Sequence, residues 1–137
     1  MMPTVRRSFM RKLLSVSAVT GLVPLAVNAQ PKISGRFIHM VFFWLKDPDK
    51  SSSVKGFMQK TASFLEKVEV VKSYHLGTPA GTPREVVDNS YTVCLVVTFD
   101  SKEDQDIYQK HQAHVDYVEE AKSLWTKVQV YDSWGSA

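Results

Sequence analysis

Apolar residues fill two stretches of the chain almost without interruption. The first runs from Phe37 to Leu45 and the second from Tyr91 to Phe99. Successive side chains of a β-strand point to opposite faces, so apolar residues at odd and even positions alike predict that both faces are covered. The only polar residue of the first stretch is His39. We therefore predict two central strands of a sheet, one of which carries a buried histidine.

The rest of the pattern predicts two helical regions and two further strands. Serines at 51–53 offer N-caps for the first helix, and Ser101 followed by Asp104 resembles a capping box before the second region. The predicted elements are, in chain order, strand Phe37–Leu45, helix Ser52–Lys67, strand Val70–Leu76, loop Gly77–Ser90, strand Tyr91–Phe99, a helix from Asp100 or Ser101 to Lys110, helix His114–Trp125 and strand Val128–Asp132. This βαββαβ order predicts an α+β, ferredoxin-like fold: an antiparallel four-stranded sheet with helices on one face.

A single layer of helices covers only one face of such a sheet. The two central strands are apolar on both faces, so the second face needs another cover. A second copy of the sheet is the simplest one, which predicts a homodimer.

The first 29 residues have the three parts of a cleavable signal peptide: a basic start, an uncharged apolar stretch at 13–27 and a small residue, Ala29, at the exit. Arg6 and Arg7, followed by Phe9, resemble a twin-arginine export signal; the general secretory route is the alternative. The apolar stretch is shorter than the roughly 20 residues that a transmembrane helix needs. We expect an exported protein, periplasmic or secreted, with no stable membrane anchor after cleavage; a retained anchor is the alternative.

Charge and cysteine content limit the functions and crosslinks that are possible for the chain after the leader. Four of the 17 basic residues lie in the leader, which has no acidic residue, so 13 basic and 14 acidic residues remain. We find no basic stripe and expect no nucleic-acid partner. Cys94 is the only cysteine, which excludes an intrachain disulfide. We divide this part into a linker at 30–35, one domain at 36–132 and a tail at 133–137.

Four segments resemble a known family. They are Ile38–Lys46, Tyr91–Ser101, Tyr108–Val115 with its Tyr-x-x-His-x-x-His pattern, and Trp125–Asp132. They are similar to the stress-responsive α/β-barrel, or Dabb, domain family over nearly all of 36–132. The resemblance implies a dimeric α/β barrel. Most members have no assigned activity, but one plant member is a cyclase that closes a polyketide by aldol condensation without a metal or cofactor.

The resemblance also implies a site. His114 falls on the general-base histidine of the plant cyclase, Tyr108 on the tyrosine that assists it, and His39 on a cavity histidine of the first strand. Val93 stands where the cyclase has another pocket histidine, and Gln112 where the family commonly has proline. The implied catalytic residues are thus His114, Tyr108 and His39, with no cofactor and with a small apolar or phenolic ligand.

The chemistry of these side chains fits such a role. An imidazole titrates near neutral pH and can act as a base, and a tyrosine hydroxyl can stabilise an enolate oxygen. Tyr108 and His114 are six residues apart, which is not a helical spacing, so the chain must break between them if they are to meet. A buried His39 needs a hydrogen-bond partner, and we predict it at the helix junction near His114.

Other interpretations of these residues stay open. His114 could be structural and bond only a backbone carbonyl. His111 and His114 could form a two-histidine metal site with His39 or Asp116 as third ligand. The domain could also be a non-catalytic stress or scaffold protein, a cofactor-free monooxygenase-like protein or a haem-handling barrel.

Overall fold

The computed structural model describes residues 33–135. The predicted signal peptide at 1–29, the first residues of the linker and the last two residues of the chain lie outside the described residues. Between residues 33 and 135, no helix has the length and apolar character that crossing a membrane requires.

The described chain forms one antiparallel sheet and three helices. The elements are β1 (Phe37–Leu45), α1 (Ser51–Leu65), β2 (Ser73–Gly77), β3 (Val93–Phe99), α2 (Lys102–Lys110), α3 (Gln112–Ala121) and β4 (Trp125–Trp134). The strand order across the sheet is β2-β3-β1-β4, and every neighbouring pair is antiparallel. The predicted ferredoxin-like fold is confirmed.

The two faces of the sheet are buried to different degrees. On β1 the odd-numbered residues are buried and the even-numbered ones are half-buried, and most of β3 follows the same alternation. The buried set packs against the helices, as the ring contact of Phe43 with Phe57 on α1 shows, with centroids 5.0 Å apart. The half-buried set therefore lies on the other face, which we call the outer face. Its central members are Ile38, Met40, Phe42, Trp44, Cys94 and Val96.

The second strand begins later than the pattern predicts. It starts at Ser73 and not at Val70, because the chain first makes a turn in which the Val71 N–H donates to the Val68 carbonyl at 3.1 Å. Val70 and Val71 pack against the core from this turn. Apolar residues alone did not distinguish a packed turn from a strand.

The last helix is shorter than predicted and the last strand is longer. The Leu124 N–H donates to the Ala121 carbonyl at 2.8 Å, which ends α3 in a tight turn. Trp125 then opposes Leu45 and begins β4. The strand continues to Trp134, into the segment that the pattern placed in a tail.

The two predicted helix caps have different outcomes. The Ser101 hydroxyl accepts the Asp104 N–H at 3.0 Å, so the cap of α2 is confirmed. At α1, the helix already includes Ser51, and Lys50 occupies the cap position without a side-chain bond. The predicted serine cap of α1 is wrong.

Candidate functional site

The residues predicted to form a site come from three elements and meet at one cavity. His39 lies on β1, Tyr108 on α2 and His114 in the first turn of α3, and all three line a cavity of about 310 Å³ between the sheet and these helices. The ring centroids of Tyr108 and His114 are 4.6 Å apart, and those of His39 and Tyr108 are 5.8 Å apart. The structure thus brings the three side chains together, and their catalytic roles stay a prediction.

His39 is hydrogen-bonded from the sheet and not from the helix junction. Its Nδ1 lies 2.6 Å from Oδ1 of Asp132, its direct neighbour on β4. The side chain of His39 is 6% exposed and that of Asp132 is 45% exposed. An ionised carboxylate only accepts, so Nδ1–H of His39 donates to Asp132. The predicted partner at the junction is wrong.

Asp132, the hydrogen-bond partner of His39, is the residue of this arrangement that the sequence analysis missed. It lies on the same face of β4 as Val128 and Val130, which oppose Phe43 and Val41 and line the cavity. This two-residue alternation was visible in the sequence. The antiparallel register that sets Asp132 opposite His39 was not, because nothing local encodes it.

Tyr108 is almost completely buried, but its hydroxyl is not sealed in the core. Within residues 33–135, every fully buried side-chain nitrogen or oxygen has a hydrogen-bond partner, whereas the Tyr108 hydroxyl has none there. The hydroxyl therefore reaches the open cavity. Burial, with a smaller contribution from Tyr117, raises the pKa of Tyr108 above its ordinary value of 10.0. At neutral pH Tyr108 is a protonated donor.

The chain breaks between α2 and α3 at His111, as the six-residue spacing requires. The φ of −61° and ψ of 135° place His111 in extended backbone. Across this break, Nδ1 of His114 lies 3.2 Å from the Gln109 carbonyl oxygen. A carbonyl only accepts, so Nδ1 carries the proton and Nε2 of the neutral ring holds the free lone pair.

The surroundings of His114 favour its neutral form. Burial lowers the pKa of His114 below its ordinary value of 6.5; the bond to the Gln109 carbonyl works against this shift, and the nearby His39 adds to it. Near pH 7 the ring is therefore neutral and its Nε2 can accept a proton. Among the three residues, His114 is the best suited to act as a base.

The rest of the cavity is mainly apolar. Tyr117 contributes a ring whose hydroxyl is bonded to that of Thr61 at 2.9 Å, and burial raises the pKa of Tyr117 to about 12. The apolar lining residues are Val41, Phe43, Leu95, Val118, Trp125, Val128 and Val130. The cavity thus combines a mainly apolar wall with a few polar groups, the usual composition of a small-molecule pocket.

His111 and His114 both use their Nδ1 atoms for hydrogen bonds to the backbone. Nδ1 of His111 accepts the Ala113 N–H at 3.1 Å, while that of His114 donates to Gln109. In the part of the chain that the structure describes, no three His, Cys, Asp or Glu side chains are grouped to hold a metal ion. The geometry gives the metal interpretation no support.

A four-stranded antiparallel sheet with helices on one face defines the class of ferredoxin-like α+β domains. Within this class, the chain belongs to the stress responsive A/B barrel domain (Dabb) family, whose family model matches residues 37–134. The family predicted from the sequence is confirmed. The search of curated proteins found no match.

Solved structures share the fold at low sequence identity. A Dabb family protein with a ferredoxin-like fold from Mesorhizobium loti has a TM-score of 0.64 at 19% identity, covering 75% of this chain and 99% of its own. The hydroxynitrile lyase from Passiflora edulis has a TM-score of 0.65 at 17% identity, covering 74% and 94%. A dimeric ferredoxin-like protein from Thermobifida fusca has a TM-score of 0.60 at 16% identity, covering 77% and 96%.

Proposed function

We propose that this protein binds a small apolar or phenolic molecule in the cavity and performs cofactor-independent, cyclase-like acid–base chemistry on it. The observation that carries the proposal is the convergence of His39, Tyr108 and His114 on one mainly apolar cavity. The hydroxynitrile lyase from Passiflora edulis adds support, since its name assigns an enzyme activity to a protein of this fold.

Each residue has a distinct part in the proposed reaction. Nε2 of His114 takes a proton from a carbon next to a carbonyl group, and the electron pair moves to the carbonyl oxygen as an enolate. The Tyr108 hydroxyl donates to that oxygen. The enolate carbon then attacks a second carbonyl of the same molecule, and the new alkoxide recovers the proton from His114. His39, held by Asp132, orients the substrate from the sheet side.

Binding of 4-butylphenol tests the site without knowledge of the substrate. We expect His114→Ala to weaken binding about tenfold, the loss of one hydrogen bond in an apolar pocket, while the melting temperature changes little because the gap opens into an existing cavity. Tyr108→Phe should weaken binding less. Val86→Ala is the control, since Val86 is 86% exposed in the loop between β2 and β3.

Two outcomes would contradict the proposal. The first is a wild-type protein that does not bind the probe. The second is a His114→Ala protein with a sharply lower melting temperature and unchanged probe affinity, which would assign the histidine a structural role.

We further propose that the protein is a homodimer formed through the outer face of the sheet. The outer face carries Met40, Phe42, Trp44 and Val96, all half-buried in the single chain. Covering them removes apolar area from water at roughly 25 cal/mol per Å². The structurally similar protein from Thermobifida fusca is described as dimeric.

We also propose export, on the strength of the leader alone. The full chain, expressed with its leader, should be recovered outside the cytoplasm with a mature N-terminus near Gln30. Replacing Arg6 and Arg7 by lysine should block export by the twin-arginine route and leave the general secretory route active. Mass spectrometry of exported protein that still contains residues before Val27 would contradict the proposed cleavage.

A further inference from the structure

His111 lies between the two helices that carry the cavity residues and is bonded to both. Its N–H donates to the Tyr108 carbonyl at 3.2 Å, and its carbonyl accepts the His114 N–H at 2.9 Å. Its side chain is the N-cap of α3, where Nδ1 accepts the Ala113 N–H at 3.1 Å. The cap needs an unprotonated Nδ1, so the proton of the neutral ring sits on Nε2.

We propose that His111 is a positioning residue: by capping α3 with Nδ1 it fixes the first turn of that helix and thereby holds the His114 ring against the cavity. The inference rests on the proposed function only in taking His114 as the base. His114 is the third residue of α3, so its backbone belongs to the turn that the cap stabilises. Its ring then reaches back over the break to the Gln109 carbonyl.

Within residues 33–135, no other side chain supplies this cap. The Gln112 side chain, which is nearest in sequence, donates to Asp116 at 2.7 Å and is directed along the helix. The first turn of α3 has no acidic residue. Losing a side-chain cap makes helix formation about fivefold less favourable, and here the loss falls on the turn that contains His114.

A surface ion pair does not account for the placement of His111. Its Nε2 lies 3.8 Å from Oε2 of Glu69, a side chain that is 89% exposed. That separation is too long for a hydrogen bond, and an exposed pair of this kind contributes little. On α2, the exposed side chains of Lys110 and Asp106 lie 3.8 Å from each other.

Three variants separate capping from other roles. His111→Asn keeps an N-cap acceptor, whereas His111→Ala has none and His111→Gln carries its amide on a chain one methylene longer than the preferred caps. Histidine-labelled protein is titrated by NMR to follow the ring of His114 in the wild type and in each variant. In the same samples, 4-butylphenol affinity and the melting temperature are measured.

The proposal predicts that His111→Ala and His111→Gln raise the titration midpoint of His114 toward 6.5, because a loosened first turn exposes the ring to water. Probe affinity should fall about fivefold. His111→Asn should match the wild type in both readouts, although it has no imidazole.

Two results would overturn the proposal. In the first, all three variants shift the titration midpoint of His114 equally. In the second, no variant shifts that midpoint although the melting temperature falls. Should His111→Ala fail to fold, the comparison of His111→Asn with His111→Gln decides alone. A wild-type protein that does not bind the probe would contradict the proposed function, but the titration of His114 would still decide the role of His111.

Discussion

At the scale of single residues, His114 makes the free energy of unfolding depend on pH. Its pKa is lowered in the folded protein from the ordinary 6.5, chiefly by burial. The unfolded chain therefore takes up the proton first as the pH falls. The contribution of His114 to the free energy of unfolding is therefore fully present above pH 6.5. It is lost as the pH falls from 6.5 through the lower pKa that His114 has in the folded protein.

This linkage predicts a measurable difference between two variants. The free energy of unfolding, measured by urea at neutral pH and again at about pH 5, should fall less in His114→Gln than in the wild type. An equal fall in wild type and His114→Gln would contradict the assignment of a buried, neutral His114.

Asp132 is predicted to stabilise the buried His39 by accepting the hydrogen bond from its Nδ1–H. Asp132→Ala leaves the Nδ1–H of a 6%-exposed side chain without its acceptor, which should cost about 1–3 kcal/mol of unfolding free energy. Asp132→Asn keeps a carbonyl acceptor and should cost less. Asp100→Ala is the control, since its pair with Lys72 is exposed on both sides and should contribute less than about 1 kcal/mol. Equal losses in Asp132→Ala and Asp100→Ala would contradict this.

The residues of the site were predictable to different degrees. His39, Tyr108 and His114 could be named from the sequence, because a histidine in an apolar strand and a Tyr-x-x-His-x-x-His segment are local features. Asp132 could not, because its role depends on the register between β1 and β4. Burial, which sets the pKa of His114, is also a property of the assembled fold.

At the scale of elements, the cap of α2 was predictable from the sequence, whereas α1 begins at Ser51, one of the serines predicted to cap it. Ser101 was identified from its spacing to Asp104, and its hydroxyl accepts that N–H. The start of β2 was not predictable, because it follows a turn at Val71. The end of α3 and the start of β4 were not predictable either, because they are set by a turn at Leu124. The apolar residues of both turns look like continuations of the adjacent elements.

The Ser101 cap gives a prediction for α2, the helix that carries Tyr108. Ser101→Ala should lower the unfolding free energy by about 1 kcal/mol, and Ser101→Asp should restore most of it. Ser63→Ala is the matched control, because the Ser63 hydroxyl lies inside α1 and bonds only to the preceding turn. Its loss should be a few tenths of a kcal/mol or none. Equal losses in the two alanine variants, measured by urea unfolding, would contradict the capping role.

At the scale of the whole molecule, the sequence predicted that both faces of the sheet are covered but not which face the helices take. Val41 and Phe42 are both apolar, so residue type alone does not tell which of them faces the helices and which faces a second copy. The structure separates them: Val41 is 6% exposed against the helices, and Phe42 is half-buried on the outer face, with its ring 5.0 Å from that of Tyr91.

Because Val41 and Phe42 lie on opposite faces of the sheet, substitutions at these two neighbouring positions test the dimer. Phe42→Asp places a charge on the outer face, where the monomer can hydrate it but a dimer would have to bury it unpaired, at a cost of several kcal/mol. We expect a folded monomer, seen by analytical ultracentrifugation at micromolar concentration, with the circular dichroism of the wild type. Val41→Asp buries the same charge under the helices and should unfold the chain, whereas Val86→Asp, in an exposed loop, should leave the dimer intact. A wild-type protein that sediments as a monomer, or a Phe42→Asp protein that stays dimeric, would contradict the outer-face interface.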